Sequence, residues 1–195
     1  MSFKKNKYVV VKKAVSKEIV NFLKDYFILK RRVAWTLFDQ NYINPFSEDY
    51  GMFGDKQVAK TYANYGDIAA EILLAKLKPL MEKKTKLKLV ETYSYMRAYK
   101  NKDVLKKHID RNSCEISCTL NIGGDLWPIF VNGKKIILKQ GDILIYKGCE
   151  IEHWREPFLG EICIQVFLHY NEDTANARIY DDRIHLGLPA YTKNK

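Results

Sequence analysis

The second half of the chain consists of short apolar segments separated by glycine-containing turns, and this spacing limits the possible folds more than any other feature. Their β-branched and aromatic content predicts strands over six segments: 87–99, 115–121, 129–131, 135–138, 143–146 and 161–170. Asn132-Gly133, between two of them, is typical of a two-residue hairpin turn of the primed type. Many short strands at even spacing predict a β-sandwich or a barrel.

The first third of the chain predicts one strand and two helices that buttress this sheet. A strand is expected over 8–12, Ser16 is suited to cap the first helix, and the second helix is expected over 67–81. Pro79 is expected to bend or end the second helix, because proline lacks a backbone N–H. The apolar residues expected to pack against the sheet are Ile19, Val20, Phe22, Leu23 and Phe27 in the first helix and Ile68, Ile72, Leu73, Leu77 and Leu80 in the second.

Residues 35–67, between the two helices, are predicted to form a long irregular loop. Its aromatic side chains are Trp35, Phe38, Tyr42, Phe46, Tyr50, Phe53, Tyr62 and Tyr65. Long loops in compact domains are often lids or binding loops, so this segment is the first candidate for substrate contact. Packing of the same aromatic residues on the helices is the alternative.

His108, Asp110 and His153 are candidate metal ligands. Residues i and i+2 of an extended strand point to the same side, so His108 and Asp110 can reach one ion. Two neutral imidazoles and one carboxylate occupy one face of an octahedron and leave the other positions open, as in non-haem Fe(II) oxygenases. Zn(II) accepts the same ligands, and a His-x-Asp pair alone also occurs on protein surfaces by chance.

The expected positions of these residues support a shared site. His108 and Asp110 are expected just before the strand at 115–121, and His153 is expected after the strand at 143–146 and its Gly148 turn. Strand ends at the mouth of a barrel can converge on one point, whereas those of a flat sheet cannot.

Three further motifs make the stretch from Thr92 to Tyr170 resemble a known family. Gly123-Gly124-Asp125-Leu126 resembles a Gly-Gly-x-Leu turn, Gln140-Gly141-Asp142-Ile143-Leu144 resembles a Pro-Gly-Asp-hydrophobic turn, and Cys114 to Asn121 resembles a core strand. The family is that of the Fe(II)- and 2-oxoglutarate-dependent dioxygenases, in its prolyl-4-hydroxylase-like branch. The resemblance implies a mainly β fold with flanking helices (α+β) and a double-stranded β-helix core of the jelly-roll or cupin-like type.

A single domain is expected over residues 1–195, since β-rich domains of roughly 200–250 residues are common. The resemblance implies that its core spans about 87–170. The N-terminal helices and the lid-like loop are then expected within 8–86.

The resemblance also implies a binding site for 2-oxoglutarate that lacks one of the family's usual residues. Tyr99 is similar in place to a tyrosine that hydrogen-bonds 2-oxoglutarate, and Thr119 lies where the family often has a residue touching it. The family usually places an arginine or lysine on the last core strand, where this chain has Ile162, Cys163 and Ile164.

Two arginines are candidates for the missing anchor of the distal carboxylate. Arg97 shares one face of its strand with Tyr99, and Arg155 lies two residues past His153. Arginine suits bidentate carboxylate binding, and such a pair is strong in a dry cavity. Either residue can fill the role, and an anchor elsewhere is the third alternative.

The resemblance implies an oxidoreductase that uses Fe(II), 2-oxoglutarate and O2, with ascorbate as a candidate reductant, to hydroxylate a C–H bond with release of succinate and CO2. The expected substrate is a prolyl or other amino-acid residue, in a peptide or free. A nucleic-acid demethylase or hydroxylase is one alternative, because the net charge of +10 would favour binding to phosphate groups. A metal-binding barrel without catalysis is the other.

Composition and the chain start predict a soluble, cytoplasmic protein. The first residues are polar and basic and lack the apolar stretch of a signal peptide, and no run of about 18 apolar residues exists to span a membrane. The cysteines lack metal-knuckle spacing and are expected to be reduced. The sequence specifies neither the substrate nor an oligomeric state.

Overall fold

A computed structural model describes residues 3–40 and 50–190. The helices are α1 (Phe3–Asn6), α2 (Lys17–Asp39) and α3 (Ile68–Thr85). The strands are β1 (Tyr8–Val11), β2 (Met52–Phe53), β3 (Tyr62–Tyr65), β4 (Leu89–Lys100), β5 (Leu105–His108), β6 (Ile116–Gly124), β7 (Ile129–Val131), β8 (Lys134–Ile136), β9 (Ile143–Lys147), β10 (His153–Arg155) and β11 (Ile162–Glu172). A short 3₁₀ turn lies at Asn112–Cys114, and Ile179–Asp182 forms a turn with positive φ at Tyr180, Asp181 and Asp182.

The strands form two sheets that pack face to face. The larger sheet has seven strands in the order β1-β9-β6-β11-β4-β3-β2, and the smaller has four in the order β5-β10-β7-β8. Val131 of the smaller sheet and Leu144 of the larger one belong to one buried cluster between them. The predicted mainly β architecture with flanking helices is confirmed.

Helices α2 and α3 cover the outer face of the larger sheet and are joined through Asp67. Its Oδ1 caps α3 by accepting a hydrogen bond from the Ala69 N–H at 3.0 Å. Its Oδ2 accepts from Tyr26 at 2.8 Å and from Lys30 at 2.6 Å, both on α2. One carboxylate therefore fixes where α3 starts and how α2 lies beside it.

The helices pack through fewer residues than predicted. The predicted residues that are buried are Val20, Leu23 and Phe27 in α2 and Leu73 and Leu77 in α3, and Leu80 is half-buried. The predicted residues that are exposed are Ile19, Phe22, Ile68 and Ile72. The prediction is wrong for these four, because the buried stripe of a helix on a sheet spans little more than about 100°.

The ends of the helices follow the predicted signals except at Pro79. Ser16 Oγ caps α2 by accepting from the Ile19 N–H at 3.4 Å. Helix α3 continues past Pro79 to Thr85, so proline does not end it. Met81 and Thr85 are buried in this last part, and their packing offsets the one backbone hydrogen bond that proline removes.

Residues 35–67 contain more regular structure than the predicted irregular loop. Trp35 and Phe38 belong to α2, and β2 and β3 form a hairpin that adds to the larger sheet beside β4. Strands of two and four residues are too short for a clear period-two pattern. Tyr42 and Phe46 lie outside the described residues.

Two short strands that the sequence did not predict, β5 and β10, contain the candidate histidines. His108 ends β5 and His153 begins β10. The predicted hairpin at Asn132 and Gly133 is confirmed. Both residues have a positive φ, of 49° and 74°, as a primed turn of type I′ requires.

The four cysteines are free thiols, as predicted: Cys114, Cys118 and Cys163 are buried and Cys149 is half-buried. Within residues 3–40 and 50–190, no helix combines the length and the apolar character that crossing a bilayer requires.

The segment after β11 is held to the larger sheet by a buried ion pair. Arg183 donates to the two carboxylate oxygens of Glu71 at 2.7 and 3.2 Å, and to the Thr92 carbonyl of β4 at 2.9 Å. Both charged side chains are almost completely inaccessible to water. Removing one partner would leave the other charge buried and uncompensated.

We expect Glu71→Ala to lower the free energy of unfolding by about 3–5 kcal/mol, because the Arg183 guanidinium loses its only carboxylate among the described residues. Urea denaturation followed by circular dichroism measures the loss. The control is Glu152→Ala, which breaks a pair with Lys107 whose side chains are 61% and 54% exposed. That control should cost no more than about 1 kcal/mol, and an equal loss in both variants would contradict the role of the buried pair.

Candidate metal centre

The pairing of β5 with β10 places His108 opposite His153. The centroids of the two rings lie 4.3 Å apart. Asp110 follows β5, and its Oδ1 lies 3.6 Å from His108 Nε2 and 3.3 Å from His153 Nε2. One ligating atom of each residue lies within 4.8 Å of the other two, so a single metal ion can contact all three.

Backbone carbonyl groups orient both imidazoles. His108 Nδ1 lies 2.8 Å from the carbonyl oxygen of Lys106, and His153 Nδ1 lies 2.9 Å from that of Ile151. Since a carbonyl oxygen only accepts, Nδ1 carries the proton in each ring. Each Nε2 therefore keeps its lone pair directed to the Asp110 side, as a metal ligand requires.

Asp110 is held with one oxygen toward the histidines. Its Oδ2 accepts a hydrogen bond from Ser117 Oγ at 2.6 Å, and its backbone N–H donates to the Gly148 carbonyl at 2.9 Å. Burial raises the pKa of Asp110, but its interactions with His108 and His153, which favour the charged carboxylate, outweigh burial and hold that pKa well below its usual range. The carboxylate is therefore charged at neutral pH and able to bind a cation.

The same carboxylate acts on His108. Burial lowers the pKa of His108, but its contacts with Asp110 and with the Lys106 carbonyl raise that pKa by more, so it lies above the usual value. A proton on Nε2 competes with a metal for the same lone pair, so binding weakens as the pH falls through this pKa.

Gly148 allows the backbone to pass close to these groups. A Cβ at this position would overlap Asp110 Oδ2 and the Cys114 carbonyl oxygen, and it would lie 2.6 Å from Ser117 Oγ. Only glycine leaves the carboxylate and its hydroxyl partner where they are.

The three candidate ligands open onto a cavity of about 340 Å³ between the sheets, a size typical of small-ligand sites. Tyr93, Tyr95 and Arg97 of β4 line it, as the predicted period-two alternation requires. Phe167 and His169 of β11 line the same side.

Arg97 borders this cavity, but its charge is already neutralised. Its Nε and Nη2 donate to Asp55 Oδ2 at 2.9 and 2.5 Å, and Nη2 also donates to Gln57 Oε1 at 2.7 Å. Tyr95 donates to the same carboxylate oxygen at 2.7 Å. These contacts tie the segment between β2 and β3 to β4, at the edge of the cavity.

Arg155 is buried between the sheets and has no carboxylate partner among the residues that the structure describes. Its guanidinium donates to the Trp127 carbonyl and to Gln165 Oε1, the latter at 3.3 Å, while its Nε has no hydrogen-bond partner. Burial lowers the pKa of Arg155, as expected for a cation that is incompletely compensated. An anion bound here would offset a cost of several kcal/mol.

Thr119 and Tyr99 lie at the same end of the space between the sheets. Thr119 Oγ1 donates to Gln165 Oε1 at 3.3 Å, the atom that Arg155 also contacts. Tyr99 is fully buried, accepts a hydrogen bond from Arg97 Nη1 at 3.3 Å, and packs its ring 4.8 Å from that of Trp127.

Several solved structures match the fold of this chain. A prolyl-4-hydroxylase from Pseudomonas putida matches with a TM-score of 0.61 at 15% identity, over 88% of this chain and 96% of that one. EctD from S. alaskensis, solved with bound Fe, matches with a TM-score of 0.63 at 13% identity, over 88% and 74%. HygX from Streptomyces hygroscopicus, solved with nickel, 2-oxoglutarate and hygromycin B, matches with a TM-score of 0.64 at 12% identity, over 99% and 94%.

These matches confirm the predicted double-stranded β-helix fold. No family model and no curated protein matches the chain by sequence.

Asp55, Gln57 and Gln165 belong to the surroundings of the site but were not indicated by the sequence. Asp55 and Gln57 lie in a connection without periodicity, so no pattern marks them. The alternation of β11 does place Gln165 on the same face as Phe167, and that signal could have identified it.

We expect Gly148→Ala to weaken Co(II) binding at least about tenfold, because the added methyl group displaces Asp110 or Ser117. Co(II) accepts the same ligands as Fe(II), and its absorbance on titration yields the dissociation constant. Gly133→Ala is the control, since its backbone has a φ of 74° but nothing lies within 4 Å of the new methyl group. Wild-type affinity in Gly148→Ala would disprove the close packing around the carboxylate.

Proposed function

We propose that this chain is a non-haem Fe(II)- and 2-oxoglutarate-dependent dioxygenase that hydroxylates a C–H bond. The observation that carries the proposal is the grouping of His108, Asp110 and His153 within 4.8 Å, facing the cavity of a double-stranded β-helix. Two oriented imidazoles and one charged carboxylate match the donor set that Fe(II) takes in such enzymes. When bound, Fe(II), O2 and 2-oxoglutarate supply the oxidising chemistry, and succinate and CO2 are released with the hydroxylated product.

We assign the distal carboxylate of 2-oxoglutarate to Arg155. Arg155 lies two residues after His153 on β10, roughly 6–7 Å along the strand, a distance that the carbon chain of 2-oxoglutarate spans. Its unpartnered Nε and its lack of a carboxylate partner among the described residues leave donors for the ligand. In this proposal the basic group comes from β10 of the smaller sheet, whereas the family usually places it on the last core strand.

Arg97 is the rival anchor, and the position of the cavity favours it. Arg97 and Phe167 line the cavity. Gln165, the next residue of β11 on that face, and its partner Arg155 do not line it. Charge balance favours Arg155, and we give it more weight than the position of the cavity. A carboxylate at Arg97 would have to displace Asp55, whereas one at Arg155 supplies a missing counter-ion.

The charges of the loaded site also support this assignment. Fe(II) and Arg155 carry three positive charges, and Asp110 with the two carboxylates of 2-oxoglutarate carries three negative ones. Neutrality matters because charges between the sheets are poorly solvated. We infer that Thr119, through Gln165, and Tyr99 border the bound 2-oxoglutarate.

A prolyl or other amino-acid residue is the proposed substrate, ahead of nucleic acid. The prolyl-4-hydroxylase among the matching structures supports this choice. Ascorbate is proposed as the reductant that keeps the iron ferrous.

We expect Arg155→Met to abolish binding of 2-oxoglutarate while leaving the free energy of unfolding of the ligand-free protein unchanged or higher, because it removes a buried unpaired charge. Arg97→Met should instead destabilise the protein by about 1–3 kcal/mol, because Asp55 loses its cation, and should retain binding. Urea denaturation measures stability, and the thermal shift with Co(II) and 2-oxoglutarate measures binding. The opposite pattern would assign the anchor to Arg97.

We expect the wild-type protein with Fe(II), ascorbate and O2 to convert 2-oxoglutarate to succinate, slowly alone and faster with a prolyl peptide. His153→Ala should lose this turnover because two of the three ligands cannot hold the iron as tightly. Succinate is quantified by mass spectrometry, with a peptide lacking proline and a free amino acid as comparisons. Absence of succinate in every mixture would exclude the oxygenase proposal and favour a binding protein.

A further inference from the structure

We propose that Ser117 and His169 form a hydrogen-bond chain that positions Asp110 as a metal ligand, an inference that rests on the proposed function. Ser117 on β6 and His169 on β11 are register partners in the larger sheet. His169 Nδ1 lies 3.0 Å from Ser117 Oγ, and that oxygen lies 2.6 Å from Asp110 Oδ2. The chain therefore links the larger sheet to the ligand that follows β5 of the smaller sheet.

The direction of each hydrogen bond follows from the groups at its ends. Ser117 has one hydroxyl proton, and both Asp110 Oδ2 at 2.6 Å and the Cys114 carbonyl at 3.1 Å can only accept it. The shorter contact, to a charged acceptor, takes the proton. His169 Nδ1 must then donate to Ser117 Oγ, and it can do so in its neutral form or as the imidazolium.

His169 is held in place by its surroundings. Its side chain is buried, and its ring packs 4.6 Å from that of Tyr93. Burial lowers the pKa of His169 to about 4, so the ring adds no charge beside the metal site at neutral pH. Its contact with Ser117 gives this residue a second role besides packing.

The chain decides how Asp110 can bind a metal. While Ser117 occupies Oδ2, only Oδ1 faces His108 and His153, so the carboxylate contributes one ligand atom. Without the chain, the carboxylate is free to rotate and to bind through both oxygens. It would then occupy a coordination position that the co-substrate or O2 needs.

Co(II) titration of the full chain tests this inference with three single variants and one double variant. Ser117→Ala and His169→Phe should each weaken Co(II) binding about 10- to 100-fold and change its absorption spectrum, because Asp110 changes its coordination. His169→Asn should restore most of the affinity and the spectrum, because its amide N–H can replace Nδ1–H. Ser117→Ala combined with His169→Phe should bind no more weakly than Ser117→Ala, because His169 acts through Ser117.

Two results would overturn the inference. One is wild-type Co(II) affinity and spectrum in His169→Phe, and the other is an equal defect in His169→Asn, which would indicate a packing role only. Circular dichroism checks folding, and if His169→Phe does not fold, Ser117→Ala and His169→Asn decide. Failure of the wild-type protein to bind Co(II) would contradict both this inference and the proposed function. If the wild-type protein binds Co(II) and the His169 variants bind it equally well, only the inference is contradicted.

Discussion

The antiparallel pairing of β5 with β10 is the interaction on which the rest of the site depends. It sets His108 opposite His153, and a slip of one residue would turn one imidazole to the other face of the smaller sheet. Strands of four and three residues cannot define this register alone. Their neighbours contribute: β7 pairs with His153 through Val131, and the Asp110 N–H binds the carbonyl of Gly148. The candidate metal centre is thus a consequence of how the smaller sheet is assembled.

Buried charge organises the space between the sheets around this centre. Asp110 lies beside the two histidines, and Arg97 is balanced by Asp55 from the segment after β2. Arg155 is left with polar contacts only, among the residues that the structure describes. A fold tolerates a buried cation of this kind when a bound ligand supplies its counter-charge, since an uncompensated buried charge is otherwise costly. The same reasoning links the proposed co-substrate to the metal, because each supplies charge that the protein lacks.

The long strands β4, β6, β9 and β11 could be predicted from the sequence to within a few residues, because alternation and turn residues are local signals. The helices could be predicted as well, but not which of their apolar residues face the sheet; Phe22 is exposed although Leu23 beside it is buried. The strands β2, β3, β5 and β10 could not, because their pairing with neighbours, and not their own composition, makes them extended. The contact between Ser117 and His169 was equally hidden, since each is an ordinary strand residue until the other is placed beside it.

By itself, the sequence determined the succession of strands and turns, the shared face of Tyr95 and Arg97, and the residue types able to bind a metal. These properties depend on a few neighbouring positions and on period-two geometry. Only the tertiary structure decided that Asp55 neutralises Arg97 and leaves Arg155 without a carboxylate among the described residues. That outcome depends on distances between strands far apart in the chain, and electrostatic pairing acts through space, where no sequence pattern records it.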